Sequence, residues 1–203
     1  MFEKGDLVTY GCKGVCEVKN ITTLNLEGIP KDRLYYEMQS MVNAGSRIFS
    51  PVGQEEKNAM RAVLTKEEAE ELLGQLPECR LCWEKDERRR EETYRRIINH
   101  SDARGMLCMI RTITDYGRER VLEGRRMPAM DGRYLKAAED NLYAELSIAM
   151  EIPRSAFKEY MAARMGELSE RCRRFEICKK MRLQERNRNY GLTVYNGCSL
   201  WKY

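Results

Sequence analysis

The sequence predicts an α+β chain in which a small antiparallel β-barrel is followed by an all-α helical domain. Short β-prone runs broken by glycines occupy the first fifty residues, which is typical of a small, strongly curved sheet. Beyond residue 55 apolar residues recur at three- and four-residue steps, as they do in amphipathic helices. The change of period near residue 55 marks the expected boundary between the two parts.

Four runs in the N-terminal part predict strands, with turns expected at the glycines between them. The runs are Leu7–Tyr10, Val15–Ile21, Leu34–Met38 and Arg47–Ser50. A sheet of this size is only marginally stable alone, so we expect one edge to be free to pair with a partner.

Capping signals predict the helices of the second part. Thr65 and Glu68 form a capping box, and that helix is expected to end at Gly74. A charged helix is predicted from about Arg80 to Ile98, and Asp102 and Asp131 are predicted to cap the next two helices. Apolar stripes on these last two helices predict the core of a helical bundle: Met106, Leu107, Ile110, Ile113 and Tyr116 on one, and Leu135, Ala138, Leu142, Leu146 and Ala149 on the other.

These signals divide the chain into four segments. They are a barrel at 1–54, a connecting helix and linker at 55–77, a helical domain at 78–165, and a basic extension at 166–203 that is expected to be a helix followed by a disordered tail. The chain carries a net charge of +4, and residues 160–203 hold ten basic against four acidic residues. An excess of positive charge in one part is common in chains that meet nucleic acid.

The eight cysteines are expected to be mostly reduced thiols that serve as small apolar side chains. Two pairs, Cys12 with Cys16 and Cys79 with Cys82, have spacings that also occur in metal and redox sites. Because the chain has one histidine, His100, we expect no metal site. A thiol or zinc protein built on Cys79 and Cys82 stays an alternative.

The sequence holds no motif that would carry catalysis. It lacks both the usual phosphate-binding glycine loop and a His-Glu-x-x-His pair. We therefore expect a protein that is not an enzyme, with no cofactor and no small-molecule substrate. No apolar run is long enough to cross a bilayer, and the N-terminus does not resemble a secretion signal, so we expect a cytoplasmic protein with no membrane partner.

Trp83 stands among charged residues between Glu78 and Arg90. A large apolar ring in this setting has two uses. It can pack between helices, or it can enter nucleic acid while neighbouring basic residues hold the phosphates.

The order of motifs across residues 1–160 resembles the CarD/CdnL transcription regulators. The resemblance begins with Phe2, Gly5-Asp6, Val8, Tyr10 and Gly14-Val15, and continues with Trp83, the break at His100–Asp102 and the run Arg133–Leu146. The N-terminal module also resembles the polymerase-interacting domain of the transcription-repair coupling factor. This resemblance implies a Tudor-like or SH3-like barrel that binds the β subunit of bacterial RNA polymerase, followed by a helical domain that contacts promoter DNA.

The resemblance also implies roles for particular residues. Trp83 matches the family's tryptophan that wedges into the minor groove at the upstream edge of the transcription bubble and stabilises the open complex. The candidate DNA contacts beside it are Lys85, Arg88, Arg89 and Arg133, and no strong sequence specificity is expected. The candidate polymerase contacts are Leu24, Arg47 and Phe49, where Leu24 and Phe49 stand at positions that often hold arginine in the family. The alternative reading is an interaction module that binds a partner through its barrel without touching DNA.

Overall fold

The computed structural model describes residues 1–24, 33–41, 45–81 and 83–167. The chain divides into two compact units, Met1–Tyr160 and Met161–Tyr203. Of the second unit the structure describes only residues 161–167, which are helical. The predicted basic extension at 166–203 therefore lies, beyond residue 167, outside the described residues.

The first unit begins with a five-stranded antiparallel sheet in the order β4-β3-β2-β1-β5. The strands are β1 (Leu7–Tyr10), β2 (Val15–Thr23), β3 (Leu34–Ser40), β4 (Arg47–Pro51) and β5 (Met60–Ala62). A single 3-10 turn, Gly11–Lys13, joins β1 to β2. The first four strands lie where the sequence predicts them. Among the described residues β4 and β5 are edge strands, so a closed barrel is not shown.

Side chains that alternate along the strands build the core of the sheet. Val8, Cys16, Val18, Tyr36, Met38 and Met60 are buried there. The Tyr36 hydroxyl donates to Glu55 Oε1 at 2.7 Å and accepts from the Phe2 amide at 3.2 Å, which ties the segment after β4 and the N-terminus to this core. Burial of the Cys16 thiol raises its pKa to about 11, so it stays protonated at neutral pH.

Strand β5 was not predicted from the sequence, and it lies beyond the boundary expected at residue 54. It pairs with β1, placing Arg61 opposite Thr9 and Met60 opposite Tyr10. The segment 55–77 thus contributes a strand as well as a helix. Three residues are too short a run to show a clear alternation, so only the pairing with β1 reveals this strand.

Four helices follow in the first unit: α1 (Lys66–Gly74), α2 (Glu87–Asn99), α3 (Ala103–Leu122) and α4 (Ala129–Ala149). Residues 154–160 form a further helix of the first unit, α5. The predicted capping box of Thr65 and Glu68 is present, and the Asp102 carboxylate accepts from the Gly105 amide as expected. Most of the predicted apolar stripe residues are buried, including Leu107, Ile110, Leu142 and Leu146.

Two helix starts differ from the predictions. The charged helix begins at Glu87 rather than near Arg80, because the Asp86 carboxylate caps it by accepting from the Arg88 and Arg89 amides. The prediction that Asp131 caps α4 is wrong, since Pro128 occupies the cap position. Asp131 is instead fully buried and bound to Arg90.

An ion pair joins the sheet to the helices. Arg61 of β5 places both terminal nitrogens on the carboxylate of Glu145 in α4, with Nη2 to Oε2 at 2.9 Å. The Glu145 side chain is 1% exposed, and it also accepts from the Leu64 amide at 3.1 Å. Arg61 donates further to the carbonyl of Ser101, between α2 and α3.

The 3-10 turn of the sheet meets the end of α2 at the same junction. The Ser101 hydroxyl donates to the Gly11 carbonyl at 3.1 Å. A Cβ on Gly11, whose φ is +44°, would lie 3.2 Å from the Asn99 carbonyl oxygen. The turn and the helix therefore lie in direct contact, and glycine suits both the positive φ and this close approach.

The cysteines follow the predictions in part. Cys79 and Cys108 form a disulfide, so the expectation of reduced thiols is wrong for this pair. The disulfide removes Cys79 as a zinc ligand, and Cys82 lies outside the described residues. Within the described part of the chain, no group of three or more His, Cys, Asp or Glu side chains is arranged to hold a metal ion.

Replacing Arg61 with alanine is expected to destabilise the first unit by about 3 kcal/mol, because it leaves the buried Glu145 carboxylate without its counter-charge. Urea unfolding followed by circular dichroism measures this change. The control is Lys158→Ala, which removes an exposed pair with Glu139 and is expected to cost less than about 1 kcal/mol. Equal losses in the two variants would contradict the role of the Arg61 pair.

Candidate interaction sites

The segment that leads to Trp83 is fastened along one face of α3. The Leu76 carbonyl accepts from Arg111, Cys79 is bonded to Cys108, and the Leu81 amide donates to Thr112 at 2.9 Å. Arg80 forms an ion pair of 3.1 Å with Asp115. The residues of α3 that hold the segment recur at helical spacing: Cys108, Arg111, Thr112, Asp115 and Tyr116.

Trp83 lies at the end of this face, half-buried and ahead of α2 rather than within it. Its ring is 3.9 Å from the ring of Tyr116, centroid to centroid, with an interplanar angle of 34°. The Arg90 guanidinium carbon lies 4.7 Å from the centroid of the Trp83 ring. The indole is thus neither sealed in the helical core nor free to swing, and part of its surface faces solvent.

A second arginine extends the stack. The Arg120 guanidinium lies 5.5 Å from the Tyr116 ring centroid and donates to the Tyr116 hydroxyl at 3.1 Å. It also donates to the Arg126 carbonyl in the turn between α3 and α4. Arg90, Trp83, Tyr116 and Arg120 therefore form a continuous series of ring and guanidinium contacts.

Three predicted basic contacts, Lys85, Arg88 and Arg89, are exposed and follow Trp83 closely in the chain. We call them the basic group. Two acidic neighbours of this group are engaged elsewhere, since Asp86 caps α2 and Glu84 accepts from the Asp86 amide at 3.0 Å. Among the ion pairs of the described residues, none involves the basic group. Its charges are therefore available to an external anion.

Arg133 is less available than the basic group. Its side chain is 68% exposed, but it forms an ion pair of 3.3 Å with Glu91 of α2 and lies 5.4 Å from the Tyr134 ring centroid. Glu91 also pairs with Arg95 and accepts from the Tyr134 hydroxyl. An exposed pair of this kind exchanges readily, so Arg133 can still reach an anion at small cost.

The predicted polymerase contacts Arg47 and Phe49 lie on one side of the edge strand β4. The Arg47 side chain is 77% exposed and pairs with Glu37 at 3.5 Å, while Phe49 is 40% exposed. Their neighbour Ile48 points the other way and packs against the sheet core. The structure thus brings these two predicted residues together on an open edge.

The sheet exposes two further apolar residues that the sequence analysis did not select. Leu34, at the start of β3, is 45% exposed, and Met41, just after β3, is 49% exposed. Leu24, the third predicted contact, is half-buried just after β2. Exposed apolar side chains at a sheet edge are typical of protein-binding surfaces. A sequence signal existed only for Leu34, which opens a β-prone aromatic run.

Among the described residues, the β4 edge with its exposed side chains is a surface of the kind that suits a protein partner. Residues 2–64 match the family model of the CarD-like/TRCF RID domain. This part of the chain is therefore a CarD-like RNA polymerase-interacting domain, and the match supports an interaction with RNA polymerase. It runs through β5, in agreement with the sheet. No curated protein matches the chain.

Several site residues were missed by the sequence analysis. Arg90, Tyr116 and Arg120 all touch the tryptophan or its stack, yet each appeared as one more residue on a helical surface or core stripe. A helical arginine that is buried cannot be told from an exposed one without knowing its partner.

No helix within the described part of the chain is long and apolar enough to span a membrane.

Replacing Tyr116 with leucine is expected to loosen Trp83, because the ring contact is worth about 1 kcal/mol beyond the area it buries. In a Trp201→Phe background, the emission of Trp83 should shift to the red and acrylamide should quench it more strongly. Tyr35→Leu, a change in the sheet, is the control and should leave both signals unchanged. An unaltered Trp83 signal in the Tyr116 variant would mean that the stack does not hold the indole.

Proposed function

We propose that this protein regulates transcription initiation by binding the RNA polymerase β subunit through its sheet and wedging Trp83 into the minor groove at the upstream edge of the promoter bubble. The observation that carries the proposal is a half-buried indole beside three exposed cations, in the same compact unit as a polymerase-interacting domain.

The partial exposure of Trp83 suits a wedge. An apolar ring inserted at a base step costs a few kcal/mol of lost stacking, and that cost falls where the stack is already interrupted. At the edge of a bubble the ring therefore binds the open state better than the closed one. Only such a difference in affinity shifts the equilibrium towards the open complex. The contacts with Tyr116 and Arg90 reduce the entropy that the ring would otherwise lose on insertion.

The basic group supports contact with the DNA backbone. Its cations form no ion pair among the described residues, so binding a phosphate breaks no existing pair. Each neutralised phosphate releases counterions, which gives affinity without sequence readout. Arg88 and Arg89 also occupy the first turn of α2, where the helix dipole disfavours cations and an external anion would relieve that effect. Promoter DNA is thus proposed as a partner without strong sequence preference.

The β4 edge supports the proposed contact with the β subunit. Within the described part of the chain no strand pairs with its outer edge, and that edge carries the apolar surface of Phe49 and the charge of Arg47. Anchoring through this edge would raise the local concentration of the helical part near the promoter. Weak DNA affinity then suffices.

The Arg61–Glu145 pair connects the two proposed surfaces. Because it binds β5 to α4 and to the Ser101 turn, a sheet docked on polymerase would carry Trp83 at a fixed distance and orientation. A non-enzymatic factor of this kind would work in the cytoplasm, on the nucleoid.

Trp83→Ala is expected to shorten the lifetime of the open complex formed by the cognate polymerase about tenfold, since a stacked aromatic contact is worth about 1–3 kcal/mol per base. Filter-retention assays with heparin challenge measure that lifetime. Leu122→Ala, which removes an apolar side chain that is 88% exposed, is the control and should have no effect. A folded, polymerase-bound Trp83 variant with the parental lifetime would reject the wedge.

Arg47→Glu and Phe49→Glu are each expected to weaken binding to an isolated polymerase β lobe at least about tenfold, the effect of losing a central interface residue. Surface plasmon resonance measures this affinity, and Lys4→Glu, another exposed cation of the N-terminal part, serves as the charge-matched control. If both β4 variants bind the β lobe with the parental affinity, β4 is not the surface that contacts polymerase.

Salt dependence separates the proposal from the alternative of a module that never touches DNA. Promoter binding that weakens steeply with rising salt, and less steeply after Arg88→Gln/Arg89→Gln, supports phosphate contact. Binding that depends only on the polymerase, with no change of slope in this variant, would favour the alternative.

A further inference from the structure

Arg90 differs from its neighbours Arg88 and Arg89, because its side chain is only 8% exposed. It follows Arg88 and Arg89 directly in the sequence, yet it points into the helical core while they face solvent. A buried cation of this kind requires specific partners, and these partners define what the residue does.

The guanidinium of Arg90 has nearly all of its donors engaged. Nε donates to Asp131 Oδ1 at 2.9 Å and Nη2 to Oδ2 at 3.1 Å, which makes a bidentate pair. Nη1 donates to the carbonyls of Glu84 at 2.9 Å and Lys85 at 3.4 Å. The two carbonyls belong to the two residues that directly follow Trp83. The fork therefore holds the backbone on which the indole is carried.

The flat surface of the same guanidinium faces the indole ring at 4.7 Å. One side chain thus contacts both the ring of Trp83 and the backbone beside it. Asp131, which comes from α4 and is fully buried, fixes the plane of the guanidinium. Through Arg90, the position of the indole therefore depends on Asp131, a residue of another helix that lies 48 positions further along the sequence.

We propose that Arg90, oriented by Asp131, is the positioning residue of Trp83 and sets the direction in which the indole leaves the protein surface. This inference rests on the proposed function of Trp83 as a wedge. Arg90 itself touches no DNA in this arrangement. It acts by keeping the ring in one orientation before DNA arrives.

The chemistry requires arginine at this position. Lysine would keep the charge beside Asp131, but as a point charge on a flexible stem it cannot bind a carboxylate bidentately, reach two carbonyls and stack on a ring at once. Burial lowers the pKa of Arg90, but the hydrogen bonds and charge of Asp131 outweigh burial and raise it. Arg90 therefore stays charged across the physiological pH range.

The experiment uses the full chain with Trp201→Phe, which leaves Trp83 as the only tryptophan. Single replacement of Arg90 or Asp131 strands a buried charge and can unfold the protein. The main variant therefore replaces both, as Arg90→Met/Asp131→Leu, which removes the two charges together and is often neutral for stability. Arg90→Lys is the conservative variant. Arg96→Met, an exposed arginine on the same helix, is the matched control.

Three readouts are compared: the urea midpoint, acrylamide quenching of Trp83, and the lifetime of the promoter open complex in the parental Trp201 background. We expect the double variant to keep the parental midpoint within error. Quenching should rise about twofold, and the lifetime should fall towards that of Trp83→Ala, because one desolvated cation–π contact and two backbone contacts are lost. Arg90→Lys should show the same quenching change, and Arg96→Met should match the parent.

Parental quenching and lifetime in a folded double variant would overturn the inference. Rescue of both readouts by Arg90→Lys would do so too, because it would show that charge alone suffices. The two hypotheses fail separately. If Trp83→Ala leaves the lifetime unchanged, the wedge is rejected, while quenching still decides whether Arg90 orients the indole. If Trp83→Ala shortens the lifetime and the double variant does not, the wedge stands and the positioning role is rejected.

Discussion

The buried carboxylate of Glu145 is the point on which the first unit depends. It accepts from Arg61 of β5 and from the Leu64 amide, and Arg61 also binds the Ser101 carbonyl between α2 and α3. The sheet and the helices are consequently joined by one buried polar cluster around Glu145, and not by a linker alone. These contacts hold β5, α4 and the Ser101 turn together, and removing one partner would leave a buried charge unpaired.

A second buried pair, Arg90 with Asp131, does within the helices what the first does between helices and sheet. The three successive arginines of α2, Arg88 to Arg90, have two different environments. Arg90 is satisfied internally and holds the segment around Trp83, whereas Arg88 and Arg89 face solvent without ion pairs among the described residues. Arg90 holds the backbone beside Trp83, whereas Arg88 and Arg89 supply exposed positive charge. Trp83 is therefore held by Arg90 and followed in the chain by exposed cations. A ring that wedges into a groove needs such an arrangement.

The regular elements were largely readable from the sequence. Four strands, the capping box at Thr65, the cap at Asp102 and the apolar stripes of α3 and α4 lie where local patterns place them, because each depends on residues close together in the chain. Three of the misses share one cause. Strand β5, the burial of Asp131 and the disulfide between Cys79 and Cys108 are decided by partners far away in sequence.

The sequence by itself determined the two-part architecture and the class of residues 2–64. Periodicity separates a β module from a helical part, and the order of motifs in the first 64 residues is sufficient to recognise the polymerase-interacting domain. It also singled out Trp83, because a large ring among charges is conspicuous in any context. Only the tertiary structure decided how that ring is presented. Whether an arginine is a counter-charge, a support or a free cation depends on which carboxylate packs against it, and packing between distant segments leaves no periodic trace in the chain.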